Sequence, residues 1–135
     1  LIEAKLADIT KYLEKLEGLT TLSEQEFVST DVHHQAERFV EIIVGAALDI
    51  NFHLIKVHRL DAPTKYKDSF LVLGRANLIG SELANRIADS AGLRNILVHH
   101  YDELDVSRFY RGLAGGISDY RQYVSAIFRA VNQDR

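Results

Sequence analysis

The chain has 135 residues, 47% of them hydrophobic, and a formal net charge of −3. That length predicts one domain over residues 1–135 with a core of its own, and the charge argues against a broad basic surface that coats nucleic acid, so any such contact must be local. With no cysteine, no disulfide or thiolate metal site is possible. With apolar runs far short of the roughly 20 residues that span a bilayer and no targeting segment, a soluble cytoplasmic protein is expected.

The first apolar stripe, Ile2, Leu6, Ile9, Leu13 and Leu16, steps at helical spacing and predicts an amphipathic helix ending near Gly18. Ser23 to Glu26 has capping-box spacing, which predicts a short helical turn carrying Phe27. A new start near Ser29 to Asp31 opens the longest element. Its stripe Val32, Ala36, Phe39, Ile43, Ala46, Ile50, Leu54 and Val57 runs to roughly Leu60. A second stripe, Val40, Val44, Leu48, Phe52 and Ile55, makes this helix apolar on two sides and so buried on two sides. One side is expected to close the core, and the other to meet a further helix or a second subunit.

Pro63 ends that helix. Tyr66 to Leu73 reads as a helix with Phe70, Leu71 and Leu73 inward, loosening at Gly74 and Gly80. Ser81 is the expected N-cap of the next helix, whose stripe is Leu83, Ile87, Ala91, Arg94, Val98 and Tyr101. Asp105 is expected to cap a last helix with the stripe Val106, Phe109, Leu113, Ile117, Tyr120, Val124, Ile127 and Val131. Gly112, Gly115 and Gly116 in its first half predict a kink or a tight crossing. No strand pattern or repeat is visible. The expected fold is all-α, an up-and-down bundle of four main helices plus one or two short ones.

Chemistry concentrates in Arg94-Asn95-Ile96-Leu97-Val98-His99-His100-Tyr101. An Arg and a Tyr interrupt an apolar face there, and a polar group so placed needs a partner or a ligand. Asn95 and His99 share a stripe, so the amide can orient the imidazole. Arg94 and His99 lie five residues apart, about 140° of rotation and about 7.5 Å of rise on an ideal helix. They converge only through the long Arg stem, a distorted helix end, or a second copy across a dimer axis. An imidazole titrates near neutrality and can act as general base or acid, and a guanidinium can clamp phosphate oxygens.

Arg94, Asn95, three residues and His99 resemble the R-polar-x-x-x-H signature of the HEPN superfamily. With Tyr101 the spacing resembles the R-x-x-x-x-H-x-Y motif of HepT-like toxins. The flanks Ala36-Glu37-Arg38 to Leu48-Asp49-Ile50, Pro63 to Phe70, and Tyr101 to Asp105 extend the likeness over most of the chain. The resemblance implies a HEPN-like homodimer that is a metal-independent endoribonuclease, with no cofactor. In such an enzyme the ribose 2′-OH attacks the phosphate, Arg94 steadies the phosphorane, His99 moves a proton, and Asn95 orients the imidazole or binds phosphate. The second proton transfer would fall to the His99 of a second subunit, to His100, or to water. The resemblance also implies an MNT-type minimal nucleotidyltransferase antitoxin as partner, with Tyr101 as acceptor of AMP. The alternative is a non-catalytic HEPN subunit whose cleft holds a nucleotide or the partner.

Blander readings attach to the same residues. Arg94 can pair with an acid such as Asp102, and Tyr101 can close the helix end by packing. The adjacent pairs His33-His34 and His99-His100 point about 100° apart on a helix, a poor arrangement for one ion. No metal site is expected, and His33, His34, His53 and His58 read as surface or rim residues. Glu37, Glu41 and Asp49 could reach the cleft, with Asp49 the first choice as supporting residue because its run is mostly apolar. Arg86, Arg94, Arg108, Arg111, Lys56 and Arg59 could form a local basic patch.

Overall fold

The computed structural model describes residues 1–133, which hold seven α-helices, one 3-10 turn and no strand. The order is α1 (Ile2–Leu19), α2 (Glu24–Ser29), α3 (Val32–Val57), α4 (Tyr66–Arg75), α5 (Ser81–Ile87), α6 (Asp89–His99), the 3-10 turn (Tyr101–Glu103) and α7 (Val106–Gln133). The all-α expectation is met. The long helices α1, α3 and α7 and the α5–α6 pair form the bundle, with α4 laid across α3 and α5.

Helix α1 buries Leu6, Ile9, Leu13 and Leu16 against α3 and α7. Full burial of such side chains stabilises by about 1.5–3 kcal/mol each. The Ser23 hydroxyl accepts from the Glu26 amide at the start of α2, the first half of a capping box, and donates to the Glu26 carboxylate. Phe27 is fully buried on that turn, against Phe109 and Tyr110 of α7. Asp105 Oδ1 accepts from Arg108 N at 3.1 Å and so opens α7.

Of the two alternatives for the second stripe of α3, the further helix holds: Val40, Val44, Leu48 and Ile55 are buried within the chain, and only Phe52 of that stripe is exposed. Three expectations are corrected. Ser81 is the first residue of α5 rather than its cap; Gly80 holds the N-cap position, with no side-chain cap. The stripe through Leu83 to Tyr101 does not lie on one helix. A turn at Ala88 divides it, and Tyr101 falls outside α6 altogether. In α7 the three glycines bring no tight crossing: the helix is continuous, and a Cβ at Gly112, Gly115 or Gly116 would meet nothing within 4 Å.

The close approach occurs instead at Gly74. A Cβ there would lie 2.6 Å from the Ala84 Cβ, so the absence of a side chain lets α4 and α5 touch. One buried polar network ties α3, α4 and α7: Tyr123 Oη lies 2.6 Å from Asn51 Oδ1, and Asn51 Nδ2 donates to Ser69 Oγ at 3.0 Å. Each member finds a partner, which offsets the cost of burying polar atoms. No helix among the described residues is long and apolar enough to cross a membrane.

Candidate functional site

Helix α6 packs on α3, and Arg94 points into that contact. Its stem passes Gly45, where a Cβ would lie 3.5 Å from Arg94 Nε. The Nε is buried without a hydrogen-bond partner, and no ion pair of Arg94 is found among the described residues. The pairing with Asp102 is therefore not made. Burying a guanidinium nitrogen unpaired is costly, and the cost is recovered when an anion is bound.

Asn95 and His99 are exposed. They sit one turn apart on α6, without a hydrogen bond to each other. Arg94 turns to α3 at Gly45, while His99 is exposed as the last residue of α6.

Helix α6 stops because His100 leaves helical geometry, at φ −138° and ψ 44°. The chain reverses there, and the 3-10 turn delivers Tyr101 to the start of α3. The Tyr101 hydroxyl donates to Glu37 Oε1 at 2.5 Å and lies 3.2 Å from His34 Nδ1. Glu37 is only 5% exposed. Its second oxygen accepts from His33 Nδ1 at 2.6 Å, and His34 Nδ1 stands 3.4 Å from the first. Because a carboxylate only accepts, His33 must carry its hydrogen on Nδ1. Burial of its hydroxyl end, then the hydrogen bond to Glu37 and the negative charge there, push the Tyr101 phenol up to about 12.

The sequence reading did not foresee this cluster. His34 is exposed, as a surface or rim residue is expected to be, whereas His33 is half-buried, and the acid in the cluster is Glu37 rather than Asp49. Asp49 is exposed and pairs with Lys5 at 2.8 Å. Glu41 pairs with Arg38 at 2.9 Å. The available signal was the spacing: His33 and His34 precede Glu37 by four and three residues, the two separations that meet on a helix. His33, His34 and Glu37 offer ligand atoms all within 4.8 Å of one another, a set that could hold a divalent ion. In this structure the carboxylate oxygens already carry hydrogen bonds from His33 and Tyr101. Of the cations considered for a basic patch, Arg86 is engaged by Asp119 and Gln122, and Arg111 by Glu24.

Beside Arg94 the same helix borders an apolar groove of about 700 Å³, lined in part by Leu93, Ile96, Gly112, Gly115 and Gly116.

An all-helical bundle with Arg94 and His99 on one helix, and Tyr101 just beyond its end, has the architecture of a HEPN domain. A solved structure of tri-AMPylated Shewanella oneidensis HEPN toxin in complex with MNT antitoxin superposes with a TM-score of 0.85. It covers 95% of this chain and 96% of that one at 25% identity. The family model described as ribonuclease HepT-like matches residues 9–127, and the chain belongs to that family. The tRNA nuclease HepT of Aphanizomenon flos-aquae (strain 2012/KM1/D3) is 32% identical over 128 residues, 94% of this chain and 87% of that protein. The mRNA nuclease HepT of Shewanella oneidensis is 33% identical over 82 residues, 61% of this chain and 62% of that protein.

Proposed function

We propose that the protein is the endoribonuclease toxin of a HEPN/MNT pair, cleaving RNA without a metal ion and silenced by AMP transfer to Tyr101. The observation that carries this reading is the Arg94 Nε, buried with no hydrogen-bond partner. A structural arginine would be paired, whereas one that serves a phosphate waits for it. The named nuclease relatives and the toxin–antitoxin complex support the same reading.

In the reaction, His99 takes the proton of the ribose 2′-OH. The 2′-oxygen attacks the adjacent phosphorus, the 5′-oxygen leaves, and Arg94 steadies the charge on the non-bridging oxygens. Asn95, one turn before His99, orients the imidazole or binds phosphate. The products are a 2′,3′-cyclic phosphate and a 5′-hydroxyl.

One imidazole cannot both remove and deliver a proton in the same step. A homodimer resolves this, with the partner subunit's His99 as the second group; His100 and water are the other candidates. The open glycine face of α7 and the groove beside α6 support a second copy as the occupant of that side. An MNT-type nucleotidyltransferase would transfer AMP to Tyr101. The added phosphate would bring negative charge to the motif and oppose a phosphate substrate there.

The test is cleavage of a defined RNA by purified protein in EDTA, comparing wild type with Arg94→Ala and His99→Ala. Cyclic-phosphate ends from wild type, lost in both variants, are expected. Equal background from all three, with nucleotide or antitoxin still bound, would replace this reading by a non-catalytic binding subunit.

A further inference from the structure

The Tyr101 hydroxyl would be the nucleophile if AMP is transferred to it, and a neutral phenol is a poor one. We infer that Glu37 is the general base that takes the Tyr101 proton during that transfer. The inference rests on the reading of Tyr101 as AMP acceptor.

Three observations carry it. The Tyr101 hydroxyl already donates to Glu37 Oε1, so the proton has a receiving atom at hydrogen-bond distance. Glu37 is almost completely buried, and His33 Nδ1–H holds its other oxygen at 2.6 Å, which fixes the carboxylate in place. The single phenol hydrogen is committed to Glu37. The His34 Nδ1 at 3.2 Å therefore meets the phenol oxygen as a donor, and supports the charge that grows there as the proton leaves. A tyrosine that only closed a helix end would need none of this apparatus. Tyr101 as a whole residue is 43% exposed, which leaves the side chain open to an approaching nucleotide.

The step balances as follows. The phenol O–H bond breaks and its proton passes to Glu37 Oε1. The phenol oxygen forms a bond to the α-phosphorus of a nucleoside triphosphate supplied with the nucleotidyltransferase, and the bond from that phosphorus to the bridging oxygen of pyrophosphate breaks. Pyrophosphate leaves, and Glu37 Oε1 releases the proton to solvent, which restores the carboxylate. The titratable groups that face the Glu37 carboxylate are His33 and His34 on its own helix and Tyr101 from the turn after α6. From α2 the neighbour of His33 is the ring of Phe27, which does not titrate.

The experiment measures AMP incorporation into wild type, Glu37→Gln and Tyr101→Phe, with ATP and the cognate nucleotidyltransferase, between pH 7 and 9. Mass spectrometry locates the modified residue. Glutamine keeps the length and the capacity to accept a hydrogen bond but is not basic. The wild-type rate is expected to stay nearly level across this range. The Glu37→Gln rate should fall by about 100-fold or more at pH 7 and recover about tenfold per pH unit, as hydroxide replaces the missing base. The Km for ATP should be unchanged.

A Glu37→Gln protein modified at Tyr101 at the wild-type rate and with the wild-type pH profile would overturn the role of Glu37. Should that variant fail to fold, the wild-type profile decides. A level profile supports an internal base, and a climb of about tenfold per pH unit overturns it. Failure of the underlying reading looks different: AMP on wild type at a residue other than Tyr101, or undiminished incorporation into Tyr101→Phe.

Discussion

Arg94 lies against Gly45: the Nε of the one sits 3.5 Å from where a Cβ of the other would be. Alanine at position 45 therefore makes ordinary van der Waals contact. A larger side chain must occupy the space that holds the guanidinium. Gly45→Ala is expected to stabilise the protein by about 1 kcal/mol through helix propensity and to retain RNA cleavage. Gly45→Leu is expected to displace Arg94 and lower the cleavage rate by roughly 100-fold, the scale of losing one preorganised charge donor. Urea unfolding and single-turnover cleavage of the two variants check this pair.

The phenol of Tyr101 is pushed up to about 12, by burial of its hydroxyl end first and by Glu37 second. Its folded value thus exceeds its unfolded one, near 10. The stabilising contribution is full below about pH 10 and is lost as pH rises from there to about 12. Tyr120 and Tyr123 are also raised, mainly by burial, so alkaline unfolding contains their contributions as well. Glu37→Gln should move one tyrosine ionisation down toward the ordinary value, followed by absorbance at 295 nm. Tyr101→Phe should remove that transition and leave those of Tyr120 and Tyr123 in place.

Gly74 and Ala84 make the tightest helix contact identified, with a built Cβ 2.6 Å from Ala84 Cβ. Gly74→Ala must push α4 from α5 or shift one backbone. A loss of about 1–3 kcal/mol is expected, against the usual gain from replacing a helical glycine. Gly74→Ala with Ala84→Gly should recover most of it. Denaturant midpoints of the single and double variants decide the matter.

Asp49 and Tyr123 offer a contrast within one stability measurement. The Lys5–Asp49 pair is solvent-exposed, so Asp49→Asn should cost at most about 0.5 kcal/mol and leave RNA cleavage at the wild-type rate. Tyr123→Phe removes a buried donor from Asn51 and Ala47 and should cost about 1–3 kcal/mol. An Asp49→Asn enzyme with much reduced cleavage would return that residue to the active site.

The helical periodicity located the main helices because burial selects apolar residues at helical spacing, and α1, α3 and α7 each bury most of a stripe. The motif residues were legible for a different reason: Arg94 and Tyr101 break an apolar run. Three features were not legible in the helical periodicity. The turn at Ala88 interrupts a stripe that continues through it in register. Glu37 reads as one more charge on an amphipathic surface until the turn after α6 folds Tyr101 over it. Gly74 owes its place to Ala84, ten residues on, and the glycines of α7 gave the stronger local pattern with no close neighbour to explain it. For Glu37 and Gly74 the deciding partner sits on another element.

The departure of His100 from helical geometry separates two residues that the sequence sets side by side. His99 belongs to α6, while Tyr101 is held by α3. His100 works as a strap between two anchors, and a strap is defined by its length. Its exposed side chain leaves room for many residue types, whereas adding or removing one residue would detach the phenol from Glu37 even with every functional side chain still in the chain.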